Sequence, residues 1–238
     1  KEVLDVVREV EIVAATVDSV WSQSLADRDY NNLKITNAYM EQFSIAILAK
    51  LDAATAQFLR FVDNNLNDRS EVQVEECTTD DMNGASLGLW GSFSDIRPIR
   101  KSIQFEAMGI QMDVPKQILQ QGIFVHRAIR IPIDHASISI YNDPQGAGTS
   151  KEVLGDLIQL DILIPPSQAF EIRAKKWVLR EKANASTALK TIPYPSTIGM
   201  KCYVKVPDFV IMSPDTRIMC WDENAREWTE DGVTDYQY

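Results

Sequence analysis

His126 and His135 are the only two imidazoles in the 238-residue chain. A zinc or general acid–base site would have to be built on them, with carboxylates such as Asp134. Asp134 and His135 are adjacent, so in a strand their side chains diverge to opposite faces. Neither histidine follows a nucleophile elbow or a cysteine-protease signature. The "GAG" at 146–148 echoes a phosphate loop, but no Gly-Lys-Ser/Thr follows it. Cys77, Cys202 and Cys220 are far apart and odd in number, with no C-x-x-C. This predicts reduced intracellular thiols, neither a zinc site nor a disulfide framework. The residues point to no catalytic, cofactor-binding or metal-binding constellation. A hydrolase using His126 or His135 is the enzymatic alternative, and it requires an imidazole in a cleft near a serine or cysteine.

The charge balance bears on partners. With 34 acidic and 24 basic residues the formal net charge is -10, the opposite of what general nucleic-acid binding calls for. No apolar run approaches the ~18 residues of a membrane span. Basic residues nevertheless cluster: Arg97, Arg100 and Lys101; Arg127 and Arg130; Arg173, Lys175, Lys176 and Arg180. Such clusters are commonly a solvated sheet face; the sharper reading is a patch for an acidic partner such as a tubulin surface. The chain begins at Lys1 and stops just after a turn signal, which reads as a piece of a longer protein.

Elements that position these residues fall into two organisations. Residues 1–68 read as helical. Val3, Val6, Val10, Val13, Val17 and Val20 recur at alternating spacings of three and four, a heptad seam. The polar "LADRDYNN" predicts the turn. A second stripe follows: Met40, Phe43, Ile47, Leu51, Ala54, Phe58 and Phe61. The expected product is an antiparallel helical hairpin. Ile45, Leu48, Leu59 and Val62 widen the second stripe, so either the β-region or another chain should cover them.

From residue 69 to 238 the period changes to two. All ten glycines and all ten prolines lie here. "ASLGLWGSF" places Leu87, Leu89 and Phe93 opposite Trp90. "KSIQFEA" puts Ile103, Phe105 and Ala107 together. "LIQLDILI" puts Ile158, Leu160, Ile162 and Ile164 on one buried face, against Gln159 and Asp161. "AFEIRAKKWVLRE" slips phase near Lys175-Lys176, which predicts a bulge or bend. Pro207 makes the strand in "KCYVKVPDFVIMS" an edge strand or an interrupted one. Residues 142–155 and 183–199 read as loops. The fold class is therefore α+β: a helical hairpin, then an antiparallel β-sandwich continuing past Tyr238.

The last stretch, "CWDENAREWTEDGVTDYQY", holds six carboxylates and one arginine. Trp221-Asp222 spells the WD dipeptide, but a propeller repeats it about every 40–45 residues with a Gly-His partner. A hairpin fits better: Trp221 and Trp228 on paired strands and both able to pack on the sandwich, "DENA" as the turn, and Asp231-Gly232 as the next turn.

"WDENAREWTEDGV" resembles the W-D-x-x-x-x-x-W-x-x-D-G pattern of the axonemal dynein intermediate chain 7 family, also called cancer susceptibility candidate 1. Three more segments are similar in order. In "LGLWGSFSDIRPIRKSIQFEAMGIQMDVPK" the matching residues are Leu89, Trp90, Arg100, Lys101, Ser102, Phe105, Gly109, Ile110 and Pro115. Ser92 stands where the family often has Asn. "AIRIPIDHAS" resembles A-x-R…x-D-H-x-S through Ala128, Arg130, Asp134, His135 and Ser137. "QLDILIPPSQ" resembles a strand followed by P-P. The resemblance covers about residues 75–238.

It implies a non-motor, non-catalytic accessory chain of ciliary inner-arm dynein, located in the axoneme. The family is implicated in dynein assembly, tubulin contact and beat regulation. Partners would be axonemal dynein heavy and intermediate chains and tubulin, with no cofactor, nucleic acid or membrane. Asp134 and His135 then form a structural corner, alongside Trp90, Trp221, Asp222, Trp228 and Gly232. Partner contacts fall on Ile45, Leu48, Leu59, Val62, Arg97, Arg100, Lys101, Arg173, Lys175 and Lys176. The rival reading is a generic intracellular β-sandwich interaction module.

Overall fold

The valine seam folds into α1, Val3–Ala26. The computed structural model describes residues 3–62, 65–67, 71–79, 84–93, 102–115, 118, 124–131, 157–164, 170–173, 176–179, 189–192, 199–206, 210–214, 216–222, 224–225 and 227–233. Val6, Val10 and Val17 are buried, and Val3 and Val13 pack against them in part. Val20, expected on the seam, is half exposed. Val7 and Ala14 are buried as well, because α1 touches strand residues as well as the second helix.

That helix, α2, spans Tyr30–Arg60. It begins ten residues before the stripe that announced it, so "YNN" is helix rather than turn. Asp29 is the reason. Its side chain accepts from the Asn32 backbone N–H at 3.1 Å, satisfying a donor that a helix start leaves open, and from the Asn32 side-chain amide at 2.9 Å. Arg28, one of the three residues between the helices, has φ +54°. Leu51, Ala54 and Leu59 are buried, while Ile47, Leu48 and Phe58 are partly so. Phe43 and Phe61, expected on the packed stripe, are exposed; the Met40 side chain lies outside the described residues. Lys50 pairs with Glu9 between the helices.

The strands follow: β1 Glu71–Cys77, β2 Ser86–Ser92, β3 Ser102–Phe105, β4 Ile110–Asp113, β5 Phe124–Ile131, β6 Leu157–Ile164, β7 Phe170–Arg173, β8 Lys176–Leu179, β9 Lys190–Ile192, β10 Cys202–Val204, β11 Cys220–Asp222 and β12 Glu227–Thr229. A further helical piece contains Ile118. Among the described residues one sheet has the order β1-β2-β5-β6-β9, a second has β10-β4-β3, and β7-β8 and β11-β12 form two-stranded pairs. Every pairing is antiparallel. The chain is thus α+β, with antiparallel sheets and N-terminal helices.

Two cores flank the central strands. Leu87 and Leu89 of β2, with Val125, Ile129 and Ile131 of β5, meet Val6, Val10, Leu51 and Leu59 of the helices. On the other face Trp90, Phe124 and Ala128 meet Ile103, Phe105, Ile110 and Met112 of β3 and β4. The alternation expected in β2 is observed, with Trp90 opposite Leu87, Leu89 and Phe93. Every residue of β2 and β5 is buried. Gly88 allows the second core to close, since a Cβ there would lie 2.7 Å from Phe105 Cδ1 and 2.9 Å from Met108 Sδ. Gly88→Val should therefore cost about 1–3 kcal/mol through overpacking, read as a lower urea midpoint with an unchanged slope.

Four expectations need correction. In β6, Ile158 and Leu160 are only partly buried against the second core, Ile162 is fully buried and Ile164 is exposed. The reason is lateral: β9 reaches only residues 162–164, so among the described residues the first half of β6 has β5 alone beside it. The opposite face is not wet either, because Leu163 is buried against the helices. Ala107 is exposed; residues 106–109 turn and deliver Met108 to the core instead. The phase slip near Lys175 is a reversal rather than a bulge, as Arg173 and Lys176 are register partners at the end of the β7-β8 pair. Within 183–199, read as loop, β9 is a strand. Among the described residues it sits at the edge of the five-stranded sheet. Residues 142–155 and Pro207 lie outside the described residues.

Candidate interaction surface

The residues with chemical potential are built into the interior. Alternation along β5 sends Phe124, His126, Ala128 and Arg130 to one face and Val125, Arg127, Ile129 and Ile131 to the other. Arg127 and Arg130, clustered in sequence, therefore never share a surface, and both are buried. An R-x-x-R spacing in a strand carries that signal already. Arg130 Nη2 donates to the Lys205 carbonyl at 3.4 Å. Arg127 reaches Asp161 of β6, with Nη2 and Nε at 2.7 and 2.9 Å from Oδ2, and Asp52 of α2.

His126 is fully buried between Trp90 and Phe124, with ring centroids 6.2 and 5.4 Å away. Burial lowers its pKa to about 4, so it is neutral at pH 7 and serves packing there. Asp134 and His135 lie outside the described residues. Among the described residues no group of three or more His, Cys, Asp or Glu could hold a metal ion.

Burial raises all three thiol pKa values, and that of Cys202 is pushed up to about 11 by burial, Asp113 and Cys220. Since the thiolate is the nucleophile, the raised pKa should slow alkylation of Cys202 at neutral pH relative to an unstructured cysteine, although its side chain is exposed. Timed iodoacetamide labelling followed by mass spectrometry checks this; labelling at the unstructured rate would contradict it.

The residues proposed for partner contact separate. Leu59 and Val62 are buried within this chain, Leu48 is partly buried and Ile45 is 66% exposed. Arg97, Arg100, Lys101 and Lys175 lie outside the described residues. Arg173 and Lys176 are placed by backbone only, opposite each other at the end of β7-β8; their side chains lie outside the described residues.

Large apolar side chains stay exposed on both helices: Ile12, Val20 and Leu25 on α1; Tyr30, Ile35, Tyr39, Phe43 and Ile45 on α2. Helix length explains much of this. At 1.5 Å per residue, α2 runs about 46 Å. Among the described residues, no helical apolar side chain between Trp21 and Ile47 belongs to the shared core. The helices thus project past the sheet they cover, and the projecting part keeps its apolar character. No period-two or period-3.6 count on a single helix could reveal that overhang, because it depends on where the sheet ends.

The last hairpin matches its expected register. Trp221 pairs with Trp228, and Asp222 with Glu227. The rings sit edge to face at 5.4 Å. Asp222 Oδ1 accepts from the backbone N–H groups of Asn224 and Ala225, an Asx turn. Gly232 has φ +86°, a conformation a side chain would strain. The two tryptophans are half-buried and pack on each other; neither belongs to either core. Trp90, in contrast, is fully buried. No protein-family model and no curated protein matches the chain.

Proposed function

We propose that the chain is a non-catalytic accessory subunit of an axonemal inner-arm dynein complex, holding protein contacts on the ciliary doublet microtubule. The observation that carries this reading is the ordered resemblance of four segments across residues 75–238, ending in the Trp221–Gly232 pattern. In the same reading, α1 and α2 form an antiparallel hairpin. The five-stranded and three-stranded sheets are the two leaves of a β-sandwich. The exposed apolar side chains of α1 and the basic residues Arg97, Arg100 and Lys101 supply contact surface. His126 supports the non-catalytic assignment, since an imidazole without solvent access has no route to a substrate.

Crosslinking mass spectrometry of intact axonemes tests the proposal. Crosslinks from Lys34, Lys50 or Lys101 to dynein subunits or tubulin are expected. Absence of the protein from axonemes, with recovery of partners from elsewhere in the cell, would favour the generic interaction module.

A further inference from the structure

We propose that the outward face of α2 is a self-association surface, on which a second copy of this chain packs antiparallel across a two-fold axis level with Ser44. This stands apart from the dynein reading. Opposite its buried stripe, α2 carries Ile35, Tyr39, Gln42, Ala46, Ala49 and Ala53 at spacings of 4, 3, 4, 3 and 4, all exposed. That is the spacing of a coiled-coil seam on the side that faces away from this chain's own core. Phe43 and Ile45 are exposed beside it, one on each flank, and Phe43 meets Tyr39 with centroids 6.4 Å apart. Neither the seam nor these flanking positions carry a charge.

The seam is complementary to itself. Its N-terminal half is bulky and its C-terminal half is alanine. An antiparallel copy centred on Ser44 sets Ile35 over Ala53, Tyr39 over Ala49 and Gln42 over Ala46, large on small, each twice by symmetry. Every seam residue thereby meets another seam residue. The two Gln42 amides flank the axis, where each carries the donor and the acceptor the other needs. On the flanks, Phe43 and Ile45 come beside their own counterparts. A parallel copy in register would instead stack aromatic on aromatic and alanine on alanine. The strip from Ile35 to Ala53 is about 27 Å long. Two such strips with their flanks bury on the order of 1,000 Å², the lower end of specific interfaces, so the expected dimer is reversible with a micromolar dissociation constant.

Sedimentation equilibrium on the full 238-residue chain should show a monomer–dimer equilibrium. Ala46→Glu brings two uncompensated carboxylates together next to the axis and should weaken dimerisation more than about tenfold. Its melting curve at high dilution should not change, because glutamate suits an exposed helix position. Geometry is read separately, in chains also carrying Cys77→Ala, Cys202→Ala and Cys220→Ala. A mixture of Tyr39→Cys and Ala49→Cys chains should form a mixed disulfide under oxidised glutathione, with two thiols oxidised as the glutathione disulfide is reduced to two thiols. Ala49→Cys alone should not link, since the antiparallel register sets the two copies of position 49 about 15 Å apart along the axis. A chain that is monomeric at every concentration, a dimer indifferent to Ala46→Glu, or self-linking of Ala49→Cys would each overturn the proposal.

Discussion

Arg127→Ala should destabilise the chain by about 3–5 kcal/mol, the cost of leaving a buried charge without its partner. Arg127 is 3% exposed at the side chain and Asp161 is 13% exposed. Two guanidinium nitrogens converge on Asp161 Oδ2, and the Gln159 amide reaches both carboxylate oxygens at 3.0–3.1 Å. Without the arginine, that carboxylate sits beside apolar helices with one amide donor left. Asp52 differs, since its side chain is 49% exposed; Asp52→Ala should cost about 1 kcal/mol or less. Replacing both interior partners, Arg127→Met with Asp161→Leu, should recover most of the loss. Urea denaturation of these variants beside the native chain checks the ordering. Equal, small losses for Arg127→Ala and Asp52→Ala would mean the pair behaves as a surface contact.

The second large effect is on pH. His126 titrates near 4 in the fold against an ordinary 6.5, through burial. Its folded-state pKa is depressed, so the unfolded chain binds the proton first as the solution is acidified. The associated stability is intact above pH 6.5, falls as pH drops toward 4, and is flat below that. At about 1.4 kcal/mol per pH unit the full loss is about 3 kcal/mol. His126→Phe, between the rings of Trp90 and Phe124, removes the titration and leaves the carboxylates unchanged. The difference in unfolding free energy between the native chain and this variant should therefore change by most of that amount between about pH 7.5 and 4.5. A constant difference across that range would exclude His126 as the source.

Local pattern exposed some of this architecture and concealed the rest for identifiable reasons. The β2 alternation and the Trp221–Trp228 hairpin could be read because one short segment contains all the needed information: a period of two, or a turn residue between two strands. β5 could not. "FVHRAIRI" has three polar side chains in eight residues, which reads as a half-wet strand, whereas covers from both sides bury it and each polar group needs a distant partner. Asp52 is 75 positions from Arg127, and no local count finds it. The start of α2 was legible in principle, through Asp29 acting three residues before Asn32. The turn between β7 and β8 carries neither Gly nor Pro, so its signal was weak. On the candidate surface, the stripe count identified Leu59 and Val62 as needing cover. It could not tell them from Ile45, which flanks the outward face of the same helix.

The shared core between helices and sheet has a consequence for synthesis. Val6, Val10, Leu51 and Leu59 emerge from the ribosome before part of their cover, which includes Val125, Ile129 and Leu163. At roughly 5–20 residues per second, the last of these arrives on the order of ten seconds after α2 is complete. Over that interval the nascent helices present their inner apolar face to solvent, a natural point for a chaperone to hold the chain.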